Sequence, residues 1–190
     1  MLGSHNSMSY LPPQNLWGKI TRPWNKCQGK NLEEQYHSGV RYFDIRLRWI
    51  DGDWHLVHNR VDYGVVFFTD LAKKFNKVCC DKTYLRIILD ERKQPAYSEM
   101  LTDRFLAFIK CFMECLLNNI FIDSVIIYWD WKEYKKPTIE VKEYHSSVIA
   151  RWYQYLLGCK WFAKHYNKYA KEQHYDYVED SERVLLLDYV

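Results

Sequence analysis

The residues of this chain that could do chemistry are two histidines and three charged side chains that lie in apolar segments. Asp44 and Arg46 are two residues apart in the run VRYFDIRLRW, and Asp188 lies within LLLDYV. Because unpaired buried charge is unfavourable, Asp44 and Arg46 need partners, and Asp188 should either meet a cation or serve a histidine. His5 and His58 are the candidate proton carriers, since imidazoles titrate near neutral pH.

Each of these residues also has a simpler explanation. His5 could be an incidental histidine in an N-terminal tail, and Asp44 with Arg46 could form the solvated face of an edge strand. By spacing alone, His55 is as good a candidate as His58. The residues therefore point to a function only when they are read as a set.

The elements that must position these residues alternate between strands and helices. Residues 40–49 predict a strand in which Tyr42, Asp44, Arg46 and Arg48 share one face, and Asp51-Gly52 predicts the turn that follows it. The first thirty residues look loop-like, because Pro and Gly punctuate them. The remaining predictions are a helix from an Asn31 N-cap to Gly39, strands over 54–58, 85–89, 124–128 and 184–190, and helices over 69–78, 98–117 and 141–173, the last broken near Gly158.

Strands separated by helices predict a parallel α/β fold, and apolar strands such as LRIIL suit burial on both faces. In such folds chemistry collects at the carboxyl ends of the strands. The polar or aromatic residues at these ends are Asp44, Arg46, His58, Asp90 to Arg92, Trp129 to Trp131, and Asp188.

Composition narrows the class of protein. The 190 residues suffice for one domain, which we expect to span 1–190, and the net charge of +3 without a basic stripe argues against nucleic acid as a partner. No apolar run predicts a membrane span and no secretory signal is recognisable, so we expect a cytoplasmic protein by default, or one exported by another route. The six cysteines are then predicted to be reduced, and Cys111 with Cys115 lacks further ligands for a metal.

Three segments together resemble one enzyme family. They are GSHNS at the start, LEEQYHSGVRYFDIR at 32–46, and LVH ending at His58. They are similar to the X-region of the phosphatidylinositol-specific phospholipases C. In that region a Pro-Gly-Ser/Thr-His-Asp/Asn-Ser segment precedes a Gly-Val/Ile-Arg-Tyr-Phe/Leu-Asp-Ile/Leu-Arg stretch and a strand ending in His. The segments ITRPW and Cys27-Gln28 are also typical of the family. The close resemblance covers residues 2 to 64, and beyond them it depends on strand order and on Asp188.

The resemblance implies a role for each residue of the set. His5 looks like the general base that takes a proton from an inositol 2-hydroxyl, with Asp188 holding its imidazole. His58 looks like the general acid that protonates the departing glycerol oxygen, and Arg46 would contact the phosphate oxygens. Asp44 would orient Arg46 or His58. The residues implied for the substrate are Asn6, Asp90, Arg92 and Trp129.

The same resemblance bears on cofactors. Calcium-dependent relatives have a carboxylate where this chain has Arg46, and a guanidinium repels Ca²⁺ while supplying its charge. We therefore expect no cofactor and no metal. Asn6 departs from this pattern, because many metal-independent relatives have Asp there and Asn cannot supply a negative charge to His58. The expected partners are a phospholipid or inositol phosphodiester and, transiently, a membrane surface.

Two further departures concern the fold that the resemblance implies, a TIM-type α/β barrel. Only Met1 and Leu2 precede the Gly-Ser-His segment, so the barrel should lack most of its first strand or borrow it. The chain is also shorter than the roughly 250 residues of a typical eight-stranded barrel. We expect a trimmed or partly open barrel of six or seven strands.

Two alternatives remain open. A glycerophosphodiester phosphodiesterase has a similar fold but needs a Glu-x-Asp pair for its metal, where this chain has Asp-x-Arg. A catalytically inactive lipid- or partner-binding module would also suit Asn6 and the short first strand. Trp129 could stack on a sugar or touch a membrane, and rim packing is an equal alternative.

Overall fold

The computed structural model describes residues 1–91, 93–129, 132–143, 167 and 183–187. These residues form an α/β fold whose sheet curls into a half-barrel, as the sequence predicted. The strands are β1 Leu2–Ser4, β2 Val40–Ile50, β3 Asp53–His58, β4 Val61–Val65, β5 Thr83–Leu89, β6 Ile120–Ile127, β7 Lys132–Lys135, β8 Glu140–Glu143 and β9 Arg183–Leu187. The helices are α1 Leu16–Asn25, α2 Leu32–His37, α3 Phe68–Val78 and α4 Ser98–Cys115.

The sheet has the order β7-β6-β5-β2-β1-β9-β8, and β3 and β4 extend it from β2. Neighbours from β6 to β8 along this order pair in parallel, whereas β7, β3 and β4 join in antiparallel fashion. The sheet of the described residues has nine strands, two more than the upper end of the six or seven expected, because the β3–β4 hairpin extends it from β2. The carboxyl ends of β1, β2, β5 and β9 therefore meet at one mouth of the half-barrel.

The alternation of β2 divides its side chains between two environments. Phe43, Ile45 and Leu47 are fully buried in the main hydrophobic cluster with the helices, where Phe43 meets Phe75 of α3 edge-on with ring centroids 5.5 Å apart. Tyr42 lies on the opposite face, in a smaller cluster with Val184 and Leu186 of β9. The predicted faces of this strand are confirmed, and Asp44 and Arg46 consequently point into the half-barrel.

Local signals fix the helix and the turn that flank β2. Asn31 caps α2 by accepting from the Glu34 backbone N–H, and the Glu34 side chain accepts from the Asn31 N–H in return. Gly39 then ends the helix at φ 93°. The β2–β3 turn places Asp51 and Gly52 at φ 51° and 98°, as an Asp-Gly hairpin turn requires.

The prediction that the first thirty residues are loop-like was wrong. Leu2–Ser4 form a strand of three residues paired to both β2 and β9, which agrees with the expectation that most of the first strand is missing. Asn15 caps α1 by accepting from the Gly18 N–H at 3.0 Å. This position of the helix requires glycine because the backbone lies against Val61, and an added Cβ would come within 2.8 Å of the Val61 side chain.

The predicted helix over 141–173 was wrong at its start, because β8 covers Glu140–Glu143 and pairs with β9. Within the rest of that range the structure describes Asn167 alone, as helical. The final strand ends at Leu187 within the described residues. Cys79, Cys80, Cys111 and Cys115 are free thiols. No helix of the described residues is long and apolar enough to span a membrane.

Candidate active site

Asp44 is the centre of the charged cluster at the mouth. Its side chain is fully buried and carries two guanidinium partners, Arg46 Nε at 3.2 Å from Oδ2 and Arg86 Nε at 3.0 Å from Oδ1. Burial alone would raise the pKa of Asp44, but the charges of Arg46, Arg86 and His5 outweigh it and hold the pKa far below its usual range. Asp44 is therefore ionised and leaves the cluster with an excess of positive charge.

The tight passage from β1 into the following loop places His5 at the same mouth. Gly3 lies so close to β9 that an added Cβ would come within 2.7 Å of Val184. The His5 backbone N–H donates to the Leu187 carbonyl at 2.9 Å, at the end of β9. The next N–H, that of Asn6, donates to Asp44 Oδ2 at 3.0 Å, which ties the loop to β2.

The hydrogen bond between His5 and Arg46 defines the tautomer of the imidazole. His5 Nε2 lies 2.8 Å from Arg46 Nη2, and a guanidinium can only donate. Nε2 must therefore accept, which leaves the proton of the neutral ring on Nδ1. In this tautomer the unprotonated, basic nitrogen of His5 is Nε2, the atom that faces the Arg46 guanidinium.

His58, at the end of β3, is held by the carboxyl end of α1. Its Nδ1 lies 2.9 Å from the Asn25 carbonyl and 3.7 Å from Cys27 Sγ, so Nδ1 carries a proton that the carbonyl accepts. Its Nε2 lies 3.3 Å from the Asn59 side-chain amide. If Nε2 takes up a proton, a flipped Asn59 amide can accept from it through Oδ1.

The two imidazoles are neighbours across the mouth. The ring centroids of His5 and His58 are 5.7 Å apart and the rings are nearly perpendicular. His55, equally good by spacing, instead pairs with Asp62, with 2.9 Å between Nδ1 and Oδ1.

The residues expected to contact the substrate differ in their surroundings. Asn6 is 1% exposed, and its Nδ2 has no hydrogen-bond partner among the described residues. Asp90 is also buried, and it accepts from the Asn59 N–H at 3.2 Å, so it supports the residue beside His58. Trp129 is half-buried against the main hydrophobic cluster, which corresponds to the rim-packing alternative. Arg92 and Asp188 lie outside the described residues.

Several residues that position the site were missed from the sequence. Arg86, the second cation on Asp44, could have been found by the same reasoning that singled out Arg46, because it too is a charge in an apolar strand. Gln28 donates through Nε2 to the carbonyls of His5 at 2.9 Å and Leu187 at 3.0 Å. Nothing local in the sequence predicts that bond. Cys27 and Gln28 had been singled out only as typical of the family, without a role, and Asn59 was recognisable only once the chain was folded.

Within the described ranges, no group of three or more His, Cys, Asp or Glu side chains could hold a metal ion. The Asp44 carboxylate is already taken up by the two guanidinium groups and the Asn6 N–H. The arrangement thus combines two imidazoles with a guanidinium, a set suited to proton transfer beside an anion.

The fold is that of the bacterial phosphatidylinositol-specific phospholipases C. The chain aligns over its full length with 87% of the enzyme from Listeria monocytogenes at a TM-score of 0.59 and 13% identity. It aligns likewise with 85% of a Staphylococcus aureus phosphatidylinositol-specific phospholipase C containing pentafluoro-phenylalanine, at a TM-score of 0.61 and 15% identity. Another structure of the S. aureus enzyme, solved to study its membrane binding, gives 0.60 and 15%. No family model and no curated protein matches the sequence.

Proposed function

We propose that this protein is a phosphodiesterase that cleaves the headgroup phosphodiester of a phosphatidylinositol-like lipid by acid–base catalysis between His5 and His58, without a metal. The observation that carries the proposal is the position of Arg46. It bonds His5 at 2.8 Å, beside an imidazole pair whose ring centroids are 5.7 Å apart. The fold shared with the bacterial enzymes supports the same conclusion.

In the proposed reaction His5 Nε2 is the base. The phosphate draws the Arg46 guanidinium toward its non-bridging oxygens, which frees Nε2 to take the proton of the inositol 2-hydroxyl. That oxygen forms the new bond to phosphorus while the bond to the glycerol oxygen breaks. The glycerol oxygen leaves with a proton from His58 Nε2, so the base gains one proton and the acid loses one.

Arg46 is proposed to stabilise the transition state electrostatically. Negative charge grows on the phosphate oxygens in the transition state, and a buried guanidinium that is already oriented stabilises it without reorganisation. Asp44 holds Arg46 in place from one side and is itself held by Arg86. Because Asp44 is shared between two cations, it cannot cancel both of them, and the excess positive charge is available to the substrate.

Asp188 and Asn6 complete the proposed site. Asp188 directly follows β9, whose last carbonyl, that of Leu187, accepts from the His5 N–H. We assign it to the Nδ1–H of His5, where a carboxylate stabilises the imidazolium. Asn6 offers a buried amide donor that has no partner among the described residues, and we assign it to a phosphate oxygen.

We also propose that α1 is the membrane contact. Its exposed face carries Leu16, Trp17 and Ile20, which are 72%, 49% and 61% exposed, and Trp24 adds to it. Exposed Lys19 and Arg22 flank these side chains and suit anionic lipid. The helix ends at Asn25, whose carbonyl accepts from His58, so a membrane bound to α1 would lie next to the catalytic mouth.

The central experiment measures the release of water-soluble inositol phosphate from phosphatidylinositol vesicles. The wild-type protein should release it, and His5→Ala and His58→Ala should each lose about 10²- to 10⁴-fold in rate. His37→Ala is the matched control, because His37 is an exposed histidine distant from the mouth, and it should keep full activity. Vesicle binding without any release in the wild type would instead identify an inactive binding module.

The role of α1 is tested separately. Ile20→Ser should weaken sedimentation with phosphatidylinositol vesicles and slow their cleavage, yet leave the rate on a water-soluble inositol phosphodiester unchanged. Met113→Ser is the control, since Met113 is 50% exposed on a different helix. Equal vesicle binding by the two variants would refute the assignment of α1.

A further inference from the structure

A second concave site lies away from the catalytic mouth, between the β2–β3 hairpin, the start of α3 and the middle of α4. We call it the aromatic cleft. Its volume is about 360 Å³, within the range of roughly 300–1,000 Å³ that small-molecule sites occupy. The side chains that define it are Trp49, Trp54, Phe67, Phe68, Arg104, Ala107, Phe108 and Cys111.

The walls of the aromatic cleft are fixed by the hydrophobic core. Trp54 and Phe108 are 9% and 5% exposed, and their ring centroids are 5.7 Å apart. Trp49 meets Trp54 edge-on at 5.0 Å, and Phe68 meets Phe108 edge-on at 6.1 Å. A ligand would therefore find a preformed apolar surface and would not have to order these rings.

Part of the rim of the cleft is apolar and exposed to water. Phe67 is 59% exposed, although it lies next to buried Val66 and half-buried Phe68. Covering such a ring removes apolar surface from water, which favours binding. An apolar ligand that reaches from the inner rings to Phe67 would be stabilised by the burial of this ring.

Arg104 gives the cleft its charge preference. Arg104 is an exposed residue whose guanidinium lies 5.0 Å from the centre of the Trp49 ring. Stacking on a ring leaves the N–H edges of a guanidinium available for a carboxylate. Asp53 also lines the cleft, but the ring face that would attract a cationic ligand is already occupied by Arg104.

We propose that the aromatic cleft binds a free amphiphile with one carboxylate and an apolar chain, such as a medium-chain fatty acid. The chain lies against Trp54, Phe67 and Phe108, and the carboxylate accepts from Arg104. None of the residues proposed for catalysis lines the cleft, so this site is independent of the proposed phosphodiesterase activity.

Calorimetric titration with decanoate below its micelle concentration tests the proposal. The wild type should bind it saturably, and more tightly than decanol or decyltrimethylammonium. Arg104→Gln should weaken decanoate about two- to fivefold, as expected when an exposed ion pair is lost. Lys110→Gln, an exposed cation of the same helix outside the cleft, is the control and should bind normally.

A second measurement needs no variant. Decanoate should slow alkylation of Cys111, which lines the cleft, and leave the exposed Cys80 unaffected. Ala107→Trp, at an exposed position, should fill the cleft and remove binding. Absence of saturable binding, equal binding of decyltrimethylammonium, or an unchanged affinity in Arg104→Gln would each overturn the proposal.

Discussion

Replacing Asp44 by Asn should destabilise the fold more than any conservative change on the surface. The carboxylate is fully buried and lies 3.0 Å from Arg86 Nε and 3.2 Å from Arg46 Nε. The substitution preserves shape and removes the charge, so two nearly buried guanidinium groups remain without an anion. The amide can accept only through its one oxygen, and its NH₂ group faces a donor.

The expected size of the effect follows from this geometry. Removing one partner of a buried ion pair reduces the free energy of unfolding by about 3–5 kcal/mol, because the other charge stays buried without compensation. The carboxylate also accepts from the Asn6 N–H, so the loop carrying His5 should loosen as well. We expect a loss near the upper end of that interval.

Urea unfolding, followed by Trp fluorescence at several pH values, measures the loss. The pKa of Asp44 is lower in the folded than in the unfolded chain, so its stabilisation is fully present above the unfolded value of about 3.9. The difference between wild type and Asp44→Asn should therefore be constant from pH 7 to about 5. It should shrink as the pH falls further, because the unfolded wild-type chain then takes up a proton on Asp44 while the folded carboxylate stays ionised.

Asp103→Asn is the control, because Asp103 is an exposed carboxylate of α4. It should change the free energy of unfolding by less than about 0.5 kcal/mol. An Asp44→Asn variant as stable as this control would refute the reasoning. So would a difference from wild type that grows on acidification, since the sign of the linkage would then be reversed.

Three further predictions concern the site and its support. Gln28→Met removes the donor that joins the His5 and Leu187 carbonyls, so it should lower kcat up to about 10²-fold with little change in KM. The control Gln14→Met, which replaces an exposed amide, should leave kcat unchanged. A change confined to KM would contradict a positioning role for Gln28. Gly18→Ala should cost about 1–3 kcal/mol in urea unfolding, since its Cβ would meet Asn15 Oδ1 at 2.5 Å, and Lys19→Ala, at an exposed position of the same helix, should be neutral. Vesicle cleavage should survive EDTA and be lost in Arg46→Asp, and a chelator-sensitive wild type would show that a metal takes part.

Much of the fold could be predicted because its signals are local. The faces of β2 follow from residue alternation, α2 from the Asn31–Glu34 capping box, and the hairpin from Asp51-Gly52. Such signals depend on neighbours within a few residues. The strand β1 and the helix α1 were not predicted from such local signals. Leu2–Ser4 become a strand only by pairing with β2 and β9.

The sequence by itself determined which side chains could do chemistry, because a charge in an apolar strand requires a partner wherever that partner lies. It did not determine the partner. That Arg86 shares Asp44 with Arg46, that His58 rather than His55 faces His5, and that Gln28 fastens β1 to β9 were decided by tertiary structure. Each of these contacts joins residues that are distant in sequence, and only the closing of the parallel sheet brings their strand ends to one mouth.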